Sequence, residues 1–271
     1  MASRAEVVRA DTPGEARPIA AAARSAAIPT AAPSLGGALR AALGDLYYHS
    51  WRLVPANVVW SVVAIAVVVV LLVVPSGFVV APVLALPTAG IFRMAALIAR
   101  GDAVSFRDAL AAWRTETLPQ LALGAALLVA VVVLAVNLAS GIVTGSVLGW
   151  AFATLAFWGL LATWLFAWTA WPLIADPRRA AWPFGARLQL AGLLVLAHPV
   201  RIGALGLLLA AFLVASLVAI VALVTVSVVV AALVATRLVL PAADRLDERL
   251  AFGRGRGLSL AMDDEPEEPT A

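Results

Sequence analysis

LVPANVVWSVVAIAVVVVLLVVPSGFVVAPVLALPTAGIF, residues 53–92, is a run of 40 positions without a charged side chain. A helix crosses the roughly 30 Å hydrocarbon core of a bilayer with about 20 apolar residues, so this run is long enough to cross and return. Pro75-Ser76-Gly77 stands near its middle and signals a turn. Two further charge-free runs follow, Thr117–Ala175 with 59 residues and Ile202–Thr236 with 35. The second has turn signals from Ser140-Gly141 through Gly145. In the third the only turn hints are Thr225 and Ser227. One helix over that run would be roughly 52 Å long at 1.5 Å per residue, longer than a crossing needs. The pattern predicts an all-α, polytopic transmembrane helical bundle of six spans paired as three hairpins. The spans fall at about 54–74, 78–99, 119–139, 147–174, 200–220 and 223–240. Five spans, with the last run as a single tilted helix, is the alternative.

Composition supports the same class. Of 271 residues, 63% are hydrophobic, above the 45–50% or so of soluble domains. The chain has no cysteine, which excludes disulfides, thiolate catalysis and Cys-ligated metals. All 19 basic residues are Arg. Four lie in the N-terminal segment, and the others fall into groups at 40–52, 93–116, 176–201 and 237–256. If each apolar run crosses twice, all four groups lie on one side and the opposite loops carry no charge. The positive-inside rule makes that side cytoplasmic, with both termini there. Residues 1–33, Ala/Pro-rich and without an apolar h-region, predict a disordered tail and not a signal peptide. Residues 34–252 form the transmembrane domain, and 253–271, basic and then acidic, predict a second disordered tail.

Between the spans lie short amphipathic segments. Ser105-Phe106-Arg107-Asp108 fits a capping box, and Phe106, Leu110 and Trp113 then recur on one helical face. Leu39, Leu43 and Leu46 mark a similar helix, as do residues 180–197 and the pair Leu246 and Leu250. These helices are expected on the inner membrane surface or against the cytoplasmic end of the bundle, as a collar. The face of Phe106, Leu110 and Trp113 is then either a docking surface or a structural connector.

Catalytic signatures are lacking. There is no HExxH, no P-loop, no dinucleotide fingerprint and no carboxylate pair at membrane depth, so no enzymatic activity, cofactor or metal is expected. His49 and His198 both sit at interfaces. Asp102, Asp108, Glu116 and Asp176 are placed at the boundary, where hydration is cheap. Three residues are candidate ligand or lipid contacts. Arg93 stands a turn or two inside the boundary and either captures a phosphate or anionic group or snorkels to the headgroups. Asn57 and Asn137 either bind a ligand or hydrogen-bond a neighbouring helix. Trp164, Trp168 and Trp171 share a face, for packing or for stacking on a sugar ring. Gly141 and Gly145 match GxxxG but lie at the predicted turn, which argues against dimerisation through them.

Asn57-Val58-Val59-Trp60, Pro87-Thr88-Ala89-Gly90-Ile91-Phe92-Arg93 and Arg100-Gly101-Asp102-Ala103-Val104-Ser105-Phe106-Arg107-Asp108-Ala109-Leu110 resemble the YesL-like family of bacterial multi-pass membrane proteins, a domain of unknown function. The resemblance spans about 35–245 and is most specific at 87–113. It implies a supporting role in carbohydrate uptake, with the lipid bilayer and other membrane transport components as partners and no nucleic acid. The competing expectation is a stand-alone transporter or channel for a small neutral or anionic solute. It requires Asn57, Thr88, Asn137 and Thr163 to converge on one cavity.

Overall fold

The computed structural model describes residues 34–219 and 226–263, with the backbone alone at 75, 218 and 251–263. The expected tail at 1–33 and the last residues, 264–271, lie outside the described residues. The described chain is an all-α helical bundle, and no strand occurs in it.

Helix α1 (Leu35–Val73) starts at Ser34, whose hydroxyl accepts from the Gly37 N–H at 3.1 Å. A surface helix and a separate first span were expected here. Instead one helix of 39 residues, about 58 Å long, runs through Pro55. Pro55 frees the Trp51 carbonyl, but Trp51 is exposed at the end of the apolar run, where that carbonyl can find a polar partner. The first return comes where expected. Val74 is extended, and Gly77 packs so closely that a Cβ would lie 2.9 Å from the Val70 carbonyl oxygen. A 3₁₀ segment (Pro75–Leu84) leads into α2 (Ala85–Arg100), which Gly101 ends at φ +79°.

Helix α3 (Phe106–Thr115) begins with the predicted capping box, the Ser105 N–H donating to Asp108 Oδ2 at 2.7 Å. The second hairpin is α4 (Thr117–Thr144) and α5 (Val147–Ala175). Its turn falls at Gly145-Ser146, with Gly145 at φ +63° and Ser146 capping α5. Gly141, expected within the turn, is instead a helix contact whose bare Cα admits the backbone of Gly149. Helices α6 (Phe184–Ala197), α7 (Pro199–Val218) and α8 (Val228–Asp263) complete the bundle. Helix α8 continues past the tail boundary drawn at Gly253, since elongation adds a hydrogen bond for each residue ordered.

Five segments among the described residues are long and apolar enough to cross a membrane: Leu35–Val73, Ser76–Arg100, Thr117–Thr144, Val147–Ala175 and Pro199–Leu217. They coincide with the first five expected spans. The last apolar run is not one unbroken helix, because Ala219 leaves helical geometry at φ −98°, ψ 75°. The expected sixth span begins outside the described residues. Its described part enters α8 at Val228 and runs antiparallel to α1, as Asn57–Val229 and Asp45–Arg237 contacts show.

Burial is lopsided. The largest fully buried side chains include Leu53, Phe92, Met94, Leu173, Leu194 and Leu238, all toward the end that carries the charges. Helix α4 buries only Gln120, Leu123 and Gly141, and most of its apolar surface, such as Val129, Val133 and Val136, faces outward. A helix that is apolar nearly all round suits lipid.

Candidate functional site

The four Arg groups meet at one end of the bundle. Arg52 Nη1 donates to the Val104 carbonyl at 2.5 Å, and Arg237 grips Asp45 through two bonds of 2.7 and 2.8 Å. Arg187 Nη1 reaches Glu116 Oε2 at 2.9 Å. Five further side chains form a connected network. Arg100 bonds Asp176 at 2.6 Å and Asp244 at 2.5 Å. Arg179 bonds Asp176 at 2.6 Å, and Asp244 and Asp247 at 2.7 Å each. The network thus ties the ends of α2 and α5 to the middle of α8.

Asp176 was expected in a hydrated boundary layer. Its side chain is 0% exposed and those of Arg100 and Arg179 are 7% and 5% exposed. Two guanidiniums make burial of this carboxylate tolerable, because a buried charge is retained where paired charges and hydrogen bonds replace its water. The sequence signal was spacing: Asp176 and Arg179, and Asp244 and Asp247, each stand three apart. Partner choice across helices is not visible in such spacing.

Burial disfavours the charged form of Asp244, but the hydrogen bonds and charges of Arg100 and Arg179 outweigh it and hold its pKa below the usual carboxylate range. Burial also opposes the charge on Arg179, and Asp247, Asp244 and Asp176 overcome it, raising the Arg179 pKa. A depressed folded-state pKa stabilises the fold above the unfolded pKa, near 3.9, and that stability is lost as pH falls through the folded value. The apparent unfolding temperature in detergent is therefore expected to hold down to about pH 5 and to fall below about pH 4. In Asp244→Asn the acid limb should be shallower. An equally steep limb in that variant would remove Asp244 from the explanation.

The candidate contacts are placed apart. Arg93 is half-buried, and its Nη1 donates to the Ala175 carbonyl at 3.3 Å, so it neutralises an orphan carbonyl at the end of α5. Asn57 is 0% exposed, and its Oδ1 accepts from the Val229 N–H at 3.1 Å. That N–H belongs to the first turn of α8, where helical donors lack partners. Asn57 thus takes the interhelical role. Asn137 is exposed on α4. Thr88 accepts from Trp60 Nε1 at 2.8 Å, and Thr163 donates to the Gly159 carbonyl of its own helix at 2.8 Å. The four residues named for a transport cavity therefore each have a separate setting.

The face of α3 is turned from the expected one. Ala109 and Ala112 are buried and Phe106 and Trp113 are half-buried, while Leu110 points outward. Gly90 of α2 explains the rotation: a Cβ there would lie 2.6 Å from Trp113 Nε1 and 3.2 Å from Ala109 Cβ, so the two helices close upon a residue without a side chain. Phe106 and Trp113 are consequently packing residues in large part. The Trp face of α5 also packs: Phe92 stacks on Trp171 at 6.2 Å, Trp164 meets Trp168 edge-on, and Trp164 Nε1 donates to the Gly206 carbonyl at 3.1 Å.

Two apolar grooves open on the flanks. One of about 670 Å³ lies between α5 and α7 beside Trp164 and Gly206, and one of about 390 Å³ lies among α4, α5 and α6. No family model matches the chain, and no curated protein or solved structure matches it.

Proposed function

We propose that the chain is a non-enzymatic, multi-pass protein of the bacterial cell membrane that acts as an accessory of a carbohydrate importer. Its charged end and both termini then face the cytoplasm, as the positive-inside rule favours. The carbohydrate class rests on the YesL-like resemblance of residues 87–113. The observation that carries the accessory reading is the gathering of ordered polar side chains at one end of the bundle, in the network of Arg100, Asp176, Arg179, Asp244 and Asp247. An ordered polar end is suited to holding a partner, whereas Asn57, Thr88 and Thr163 are each engaged in their own hydrogen bond and Asn137 is exposed. A transporter or channel is the second reading, favoured by the start of α8 beside the buried Asn57, since broken helices frame solute sites in many transporters.

Copurification from native membranes in mild detergent tests the proposal. Subunits of a sugar importer are expected with the wild-type chain, and reporters fused after Gly77 and Gly145 should report the exterior. A chain that purifies alone yet conducts a solute into liposomes would favour the second reading.

A further inference from the structure

We propose that the exposed aromatic face of α1, formed by Tyr47, Tyr48 and Trp51, binds the phospholipid headgroup layer at the charged end and sets how deep the bundle sits in the bilayer. Tyr47 is 78% exposed, Tyr48 75% and Trp51 69%. Leu39 and Leu46 of the same helix pack against the core. The face left open is therefore the aromatic one, and not the leucine face expected of this segment.

What covers this face follows from its continuation along the helix. At about 100° per residue, Tyr47, Trp51, Val58, Val62, Ile65 and Val69 fall within an arc of about 60°. All six are exposed. Ala38, Ala42, Leu53, Ala56 and Val67 are buried on the opposite side. The four aliphatic residues of the stripe belong to a helix long and apolar enough to cross a membrane, where an outward apolar face meets acyl chains. Tyr47 and Trp51 extend that lipid-facing stripe without a change of face, and Tyr48 adjoins them.

Their depth suits headgroups. From Leu53 to Val73 α1 rises about 30 Å, the thickness of the hydrocarbon core. The chain leaves the helix directly afterwards, at the extended Val74. Trp51, Tyr48 and Tyr47 stand about 3, 8 and 9 Å beyond Leu53 along the helix. The polar zone is about 5–8 Å thick on each side of the core, so Trp51 and Tyr48 lie within it and Tyr47 at its rim. Indole and phenol rings favour that zone, because the ring meets acyl chain while its N–H or O–H tip stays hydrated. Farther out the same face carries Leu43, Arg40 and Gly36. One large apolar side chain offers a partner helix little to bury, and lone exposed leucines are ordinary. Arg52 orients the leading ring: its guanidinium lies 4.4 Å from the Trp51 ring centroid, and its Nη1 is held by the Val104 carbonyl. Less side-chain freedom is then lost when that ring enters the headgroups. This placement requires only that α1 crosses the membrane, whatever the partner of the bundle.

The chain has no cysteine, so a nitroxide can be attached at one chosen position at a time. The test uses the full chain carrying Trp51→Cys, Tyr47→Cys, Val69→Cys or Glu248→Cys, purified and returned to phosphatidylglycerol–phosphatidylethanolamine vesicles that hold no other protein. Collision of the label with oxygen and with a water-soluble nickel chelate reads its depth. Position 69 should be immersed in acyl chain, and position 248, exposed on α8, should be in water. Nickel access at 47 should lie below that at 248, and access at 51 below that at 47, the two differing in depth by about 6 Å, the rise of four helical residues. Should Trp51→Cys fail to fold, Tyr48→Cys takes its place. Nickel access at 47 and 51 equal to that at 248, with 69 immersed, would overturn the proposal and leave the face to water or to a protein partner. Full nickel access at 69 as well would overturn the membrane span itself, and the headgroup surface with it.

Discussion

Asp176→Ala is expected to destabilise the bundle by about 3–5 kcal/mol, among the largest effects of any single substitution in the chain. The Asp176 side chain is wholly buried and accepts from Arg100 and Arg179 at 2.6 Å each. Its removal leaves two guanidiniums 7% and 5% exposed with fewer counter-charges, and water cannot replace them without opening the junction of α2, α5 and α8. Asp176 Oδ1 also accepts from the Arg178 N–H at 3.2 Å, so the turn after α5 loses its cap. Denaturant unfolding in a fixed detergent measures the effect. Asp247→Ala is the comparison: Asp247 is 24% exposed and joined to the network through Arg179 alone, so its loss should be clearly smaller. Added salt should change the Asp176 effect little, because a buried pair is poorly screened. Equal losses at the two positions would mean that the network is a solvated surface feature.

The second large effect is expected at Gly141. A Cβ there would lie 2.4 Å from the Gly149 carbonyl oxygen and 2.9 Å from Ala153 Cβ. The first is a backbone atom and cannot rotate away, so Gly141→Leu must push α4 from α5. Overpacking of this kind costs about 1–3 kcal/mol, and more where the backbone itself must move. Small residues at helix contacts matter most in membranes, where close packing replaces the hydrophobic drive between helices. Gly203→Ala is the control, since nothing lies within 4 Å of a Cβ there. Thermal unfolding in detergent should show a marked decrease for Gly141→Leu and almost none for Gly203→Ala. A similar shift in both would indicate that the α4–α5 contact is loose.

Pro75-Ser76-Gly77 marked the first return because a turn needs a break in helix and a residue that tolerates close approach, and both are local properties. The same logic drew the second turn too wide, from Ser140 through Gly145, of which only Gly145 turns. Gly141 and Gly145 look alike in sequence, but Gly145 adopts positive φ whereas Gly141 receives a neighbouring backbone. The face of α3 was legible only in part. Apolar periodicity nominated Phe106, Leu110 and Trp113, whereas the close contact at Gly90 takes Trp113 and Ala109 and leaves Leu110 facing outward. For the candidate site, Asn57 was recognisable as a polar group in an apolar run, yet its partner at Val229 stands 172 residues away.

By itself the sequence determined the all-α class, the first five apolar segments and the segregation of charge into four groups. These follow from transfer free energy and helix length, which are summed over neighbours along the chain. Only the tertiary structure decided which charges pair, why Asp176 is buried, and which glycines are contacts. Those depend on helices far apart in sequence meeting at a few ångströms, where an ion pair or a missing Cβ acts across the gap.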